Sequence, residues 1–139
     1  MNIYFACSIT GGREFESVYQ TMVSALGADG HQIPTAGLAQ PGVTEEAVLD
    51  PRFVYERDTA WIRDCDALIA EVSVPSHGVG YEIGYALGQG KPVLCIALEG
   101  RKVSKMITGN PHPLLRMEFY STVEAGILLT RDFLHTVIL

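Results

Sequence analysis

The chain has 139 residues, 47% hydrophobic and 19% charged, with ten Lys and Arg against sixteen Asp and Glu for a net charge of −6. That length suits one domain over residues 1–139 with a single core, and the apolar fraction excludes a disordered chain or a coiled coil. The acidic balance disfavours nucleic acid as a partner, because a phosphate backbone needs a cationic surplus. No apolar run approaches the roughly 20 residues that span a bilayer, so no membrane partner is expected either.

Residues 3–9 (IYFACSI) are a run of β-formers stopped by Thr10, Gly11 and Gly12. No charged-then-apolar leader precedes this run, so no signal peptide is expected. Over 13–26, Phe15, Val18, Met22 and Leu26 recur at helical spacing, ended by Gly27 and Gly30. Residues 31–35 predict a weak second strand, which Pro34 confines to an edge. The segment 36–51 carries Gly37, Pro41, Gly42 and Pro51; a short helix over 44–49 and a lid or binding-loop role are expected there. A helix over 52–65, a central strand over 67–73 (ALIAEVS) and a Gly-rich helix after Pro75 and Ser76 come next. A strand over 93–98, a loop over 99–113, a strand over 114–120 and a helix over 122–134 complete the chain.

Strands separated by helices predict an α/β fold, flavodoxin-like or Rossmann-like. The expected sheet is mostly parallel and five-stranded, in the order 2-1-3-4-5, with helices on both faces. In that order a ligand sits beyond the carboxyl ends of the first and third strands. The loops there, 8–12 and 73–78, are both rich in hydroxyls and glycine. Cys7, Cys65 and Cys95 are odd in number, widely spaced and set among apolar neighbours. They read as reduced, buried thiols of a cytoplasmic protein.

Ser76 is a candidate N-cap whose helix opens with Gly78 and Gly80, so no side chain blocks an anion from the free N–H groups. The plainer reading is an ordinary cap, with Gly80, Gly84 and Gly88 forming a smooth packing ridge. The spacing Gly-x-Gly-x-x-x-Gly is one residue longer than the dinucleotide fingerprint, and no Gly-Lys-Ser/Thr is present, so NAD and ATP sites are poorly supported. Glu82, in the first turns of this helix, points near the crevice; alternatively it only offsets the helix dipole. Asp58 falls among Val54, Trp61, Ile62 and Cys65 on the apolar arc of its helix, opposite Glu56, Thr59, Ala60 and Arg63. A carboxylate there needs a partner or a chemical role, because unpaired burial is costly. A buried structural Asp bonded to backbone is the competing reading. Two carboxyl groups, one nucleophilic and one protonated, are what glycosidic chemistry requires. His31, His77, His112 and His135 are scattered, so no metal site is expected. There is no Gly-x-Ser-x-Gly elbow, and Cys7 reads better as a buried thiol than as a nucleophile. Glu71, inside an apolar strand, is either at the carboxyl edge of the sheet or paired.

The segments 4–13 (YFACSITGGR), Glu56-Arg57-Asp58 with Trp61, 70–72 (AEV), 75–84 (PSHGVGYEIG) and 103–109 (VSKMITG) resemble the 2'-deoxynucleoside 5'-phosphate N-hydrolases of the nucleoside 2-deoxyribosyltransferase superfamily. The resemblance covers 4–109, and Ser-x-Gly-x-Gly-Tyr-Glu-x-Gly is its specific part. It implies a cofactor-free and metal-free N-glycosidase that splits a nucleoside 5'-monophosphate into free base and sugar 5-phosphate. By position it makes Glu82 the nucleophile, Asp58 the acid-base partner and Tyr4 the residue that places nucleophile and sugar. Ser8, Ser76 and Gly78 match phosphate contacts, while Ile9, Gly11 and Met106 fall in its substrate-binding segments. Ser104 matches a serine that reaches the phosphate from the neighbouring subunit, implying a homodimer. Two positions depart from the pattern: Cys7 stands where those hydrolases usually have glycine, and Thr10 where they often have arginine. The alternatives are a deoxyribosyltransferase, in which a second base replaces water, and a non-catalytic nucleotide sensor.

Overall fold

Short apolar runs without proline can lie in a sheet covered on both sides, and residues 3–6, 67–70 and 93–98 are such runs. The computed structural model describes residues 1–9, 14–39 and 48–138. Its elements are β1 (Ile3–Ala6), α1 (Glu16–Ala28), a 3-10 turn (Ala36–Ala39), α2 (Pro51–Asp64), β2 (Ala67–Glu71), α3 (His77–Gly88), β3 (Val93–Leu98), α4 (Lys105–Thr108), β4 (Leu115–Tyr120) and α5 (Val123–Ile138).

The strands form a parallel sheet in the order β1-β2-β3-β4, with Ile3 opposite Ala67, Leu68 opposite Val93 and Val93 opposite Leu115. Side chains alternate across it. Ile3, Phe5, Ile69, Leu94 and Ile96 pack against α1 and α5 through Tyr19, Met22, Leu26 and Phe133. Tyr4, Ala6, Leu68, Ala70 and Cys95 face α2 and α3 through Ile62, Val79, Ile83 and Ala86. Tyr4 is thereby turned toward the helix that carries Glu82.

The described residues give four strands rather than the expected five in the order 2-1-3-4-5. The second expected strand shrinks to one parallel bridge, Asn2 with Gln32, on the free side of β1. Ile3 N–H reaches Gln32 O at 2.8 Å, but the next rung, Phe5 N–H, goes to the Thr35 hydroxyl at 3.0 Å. The Thr35 hydroxyl thus replaces a backbone acceptor for Phe5, and Pro34 has no N–H with which to continue the ladder. The loop expected over 99–113 contains the short helix α4, and residues 44–47 of the expected short helix lie outside the described residues. On α2 the solvent face was expected to include Thr59, yet Thr59 is buried and its hydroxyl bonds Tyr55 O at 2.7 Å.

Helices α1 and α3 end alike. Gly30 and Gly90 take φ of 91° and 74°, and the following residues, His31 and Lys91, donate back to Leu26 O and Ala86 O. These are Schellman ends, in which a left-handed residue turns the chain into the next strand. An added methyl at Gly90 meets nothing within 4 Å, so any penalty is conformational. Gly90→Ala is expected to cost about 1–2 kcal/mol. A lower denaturant midpoint with an unchanged m value is the expected result.

Candidate active site

All four strands point their carboxyl ends to one rim. From β1 the chain passes to α1 on one face, and from the adjacent β2 it passes to α3 on the other. The loops after β1 and β2 therefore part, leaving a crevice where ligands bind in open α/β sheets. Ser8 is buried in the β1 loop and Ile9 is exposed. Thr10 and Gly11 lie outside the described residues.

Ser76 caps α3, its Oγ accepting from Val79 N–H at 3.3 Å. That bond uses a lone pair, so the hydroxyl proton remains available for an anion. A Cβ built at Gly78 would lie 3.9 Å from both Ser76 Oγ and Glu82 Oε1, which places the cap and the carboxylate around one glycine. Tyr4, almost fully buried, donates its hydroxyl to Glu82 Oε2. Burial pushes the Glu82 carboxyl up to about 7. A half-buried acid held by one phenol, one turn beyond a helix N-terminus, can act as a nucleophile at neutral pH.

Asp58 lies on α2 with its side chain 19% exposed, 2.9 Å from Arg57 Nε. Arg57 in turn lies over Trp61, 4.9 Å from the ring centroid, and over Phe53 at 5.9 Å. Helix α2 is clipped to α3 on the outside. Tyr55 meets Tyr81 edge-on at 6.2 Å, Tyr81 stacks on Tyr85 at 6.3 Å, and Arg63 donates to the Tyr85 hydroxyl at 2.9 Å. The two carboxylates therefore ride on helices whose mutual packing is fixed by aromatic side chains.

Ser104 caps α4, accepting from Met106 N–H at 3.2 Å. Together with Ser76, Val79, Ile83, Lys102 and Met106 it lines a cavity of about 440 Å³. Tyr4, Asp58 and Glu82 are not on its wall; the α3 residues lining it are on the flank away from Glu82. Tyr4, Ser76, Gly78 and Glu82 thus form one cluster, and Ser104 and Met106 share with Ser76 the cavity on the other flank of α3. Lys102 was not singled out from the sequence, although a basic residue just ahead of a capped turn is a usable signal. Burial pushes the Cys7 thiol up to about 12, aided by the nearby Glu71 charge, so it is a poor nucleophile. Among the described residues no group of three or more His, Cys, Asp and Glu side chains converges on a metal position, and no helix is long and apolar enough to cross a membrane.

The chain matches the family model described as nucleoside 2-deoxyribosyltransferase over residues 3–123. It is 44% identical over 114 residues to the 5-hydroxymethyl-dUMP N-hydrolase of Mus musculus, covering 78% of this chain and 65% of that protein, just under two thirds of its length. It is 36% identical over 137 residues to a protein of Methanosarcina mazei named as a 2'-deoxynucleoside 5'-phosphate N-hydrolase, covering 98% of this chain and 85% of that one. The solved structure of a CMP N-glycosidase from Clostridium botulinum superposes with a TM-score of 0.74 at 18% identity, covering 96% of this chain and 99% of that one. At that identity the likeness is one of fold.

Proposed function

The chain belongs to the nucleoside 2-deoxyribosyltransferase family, and from that premise we propose that it hydrolyses the N-glycosidic bond of a nucleoside 5'-monophosphate, releasing free base and a deoxyribose or ribose 5-phosphate. The observation that carries this reading is the Tyr4–Glu82 pair beside the Ser76–Gly78 helix start. It sets a carboxylate next to an anion cradle, as a phosphorylated sugar demands.

In this reading Glu82 attacks the anomeric carbon as the bond to the base breaks, and Asp58 delivers a proton to the departing base nitrogen. Water, deprotonated by Asp58, then attacks the same carbon, releasing sugar 5-phosphate and regenerating Glu82. Tyr4 holds Glu82 Oε2, leaving Oε1 toward Gly78 and the sugar. The Ser8 and Ser76 hydroxyls and the Gly78 N–H take the phosphate, with Ile9 beside the nucleoside; Gly11 is assigned to substrate binding by resemblance alone. We assign Ser104 and Met106 to the site of a partner subunit in a homodimer. Three buried free thiols support a reducing, cytoplasmic setting.

Charge-assisted hydrogen bonds contribute about 1.5–3 kcal/mol each. Two of them favour the monophosphate over the free nucleoside by roughly a hundredfold or more in kcat/KM. Base release followed by chromatography for both substrates measures this ratio, and equal values remove the phosphate from the model. The family name favours a second reading, transfer of the sugar to another base. Adding a free second base separates the two: hydrolysis leaves sugar phosphate, whereas transfer yields a new nucleotide.

Mixing Glu82→Ala with Ser104→Ala chains tests the shared site. A mixed dimer then holds one site with both Glu82 and a partner's Ser104. Activity per Ser104→Ala chain is expected to rise on mixing. No rise means that Ser104 acts only within its own chain, through the cavity it shares with Ser76.

A further inference from the structure

Glu71 takes no part in the chemistry proposed above, yet it is fully buried at the carboxyl end of β2, on the face opposite Tyr4. Its Oε1 accepts from Ser73 N–H at 2.7 Å, and its Oε2 accepts from the Ser73 hydroxyl at 2.9 Å and from the Tyr120 hydroxyl. Ser73 Oγ in turn accepts from Leu98 N–H at 2.8 Å. Where β2 stops and β3 continues, a side chain therefore completes the ladder. A carboxyl group in this position costs stability unless it is fully bonded, and apolar residues of similar volume often serve a core equally well. Its geometry instead serves the loop. Only Val74 and Pro75 separate Ser73 from Ser76, and proline fixes one of the intervening backbone angles.

We propose that Glu71 is a positioning residue for phosphate recognition: by clamping both the N–H and the hydroxyl of Ser73, it sets where the 74–76 segment delivers the Ser76 hydroxyl and the first N–H groups of α3. The assignment rests on the phosphate reading of that helix start. Burial raises the Glu71 carboxyl, while its bonds to Tyr120 and Ser73 and the Arg101 charge oppose that rise. Protonated or not, its oxygens can bond to Ser73, so a neutral amide of the same shape can do the same work.

The test compares Glu71→Leu, Glu71→Gln, Ser73→Ala and Tyr120→Phe, each with the nucleoside 5'-monophosphate and with the free nucleoside. Glu71→Leu is expected to raise KM for the monophosphate by about tenfold or more, with kcat within about threefold and KM for the nucleoside unchanged. Glu71→Gln restores the wild-type KM, because its carbonyl accepts from Ser73 N–H and its amide donates to the two hydroxyls. Tyr120→Phe cuts the clamp on the side away from the loop, so it lowers Tm and leaves KM alone. Should Glu71→Leu fail to fold, Ser73→Ala carries the same expectation at about threefold. A folded Glu71→Leu or Ser73→Ala that discriminates monophosphate from nucleoside as well as wild type overturns the assignment. A wild-type enzyme that does not discriminate overturns the phosphate reading itself, and the assignment with it.

Discussion

Glu82→Gln is expected to abolish base release, with a loss on the order of a thousandfold or more in kcat, and to make the protein more stable above neutral pH. The two effects share one cause. Burial holds the Glu82 carboxyl up to about 7, against 4.5 for the free group. Between those values the folded state binds more protons than the unfolded chain, so the stabilising contribution is complete below about 4.5 and is lost as pH rises through about 7. The ionised carboxylate then costs on the order of 3 kcal/mol, and the amide does not carry that cost. Thermal melts at pH 5 and pH 8 therefore give curves that diverge toward alkaline pH, with the variant higher. In the wild type, kcat/KM rises with pH through about 7 as the nucleophile ionises. A Glu82→Gln protein that retains turnover ends the nucleophile assignment. One that is inactive but equally destabilised at both pH values assigns Glu82 a packing role instead.

Asp58→Asn is expected to cut kcat by about 10²–10⁴, the range for removing a general acid. The amide preserves shape and can accept from Arg57 Nε, so circular dichroism stays unchanged. A nucleotide whose base is already cationic, as in a ring-methylated purine, leaves without a proton, and with it the deficit shrinks. A deficit equal for both substrates shows that Asp58 does not protonate the base, and a lowered Tm alone makes it a structural partner of Arg57.

Much of this arrangement is legible in the sequence where the signal is periodic and local. The apolar runs of β1, β2 and β3, the Ser76 cap and the glycines behind it are read from residues a few positions apart. The failures are equally physical. Pro34 demotes the second strand to an edge, but nothing local says that the Thr35 hydroxyl takes the next rung. Thr59 looks solvent-facing on a helical wheel, yet it hides its hydroxyl on Tyr55 O and is buried. The four residues of α4 are too few to show a period. Glu71 remained open from sequence because one of its partners, Tyr120, is 49 residues away. Tyr4 was assigned by family resemblance alone, since a tyrosine in an apolar strand carries no mark of the acid it will meet.

The Schellman returns at Gly30, just before the Gln32 bridge, and at Gly90, just before β3, lie on the rim away from the crevice. Foreign material introduced beside Gly90, such as a short epitope, a dye-bearing cysteine or a surface tether, would hang from the back of the molecule. An immobilised form attached there leaves the front open to solution, and a fluorophore placed there reports tumbling without standing at the mouth of the crevice.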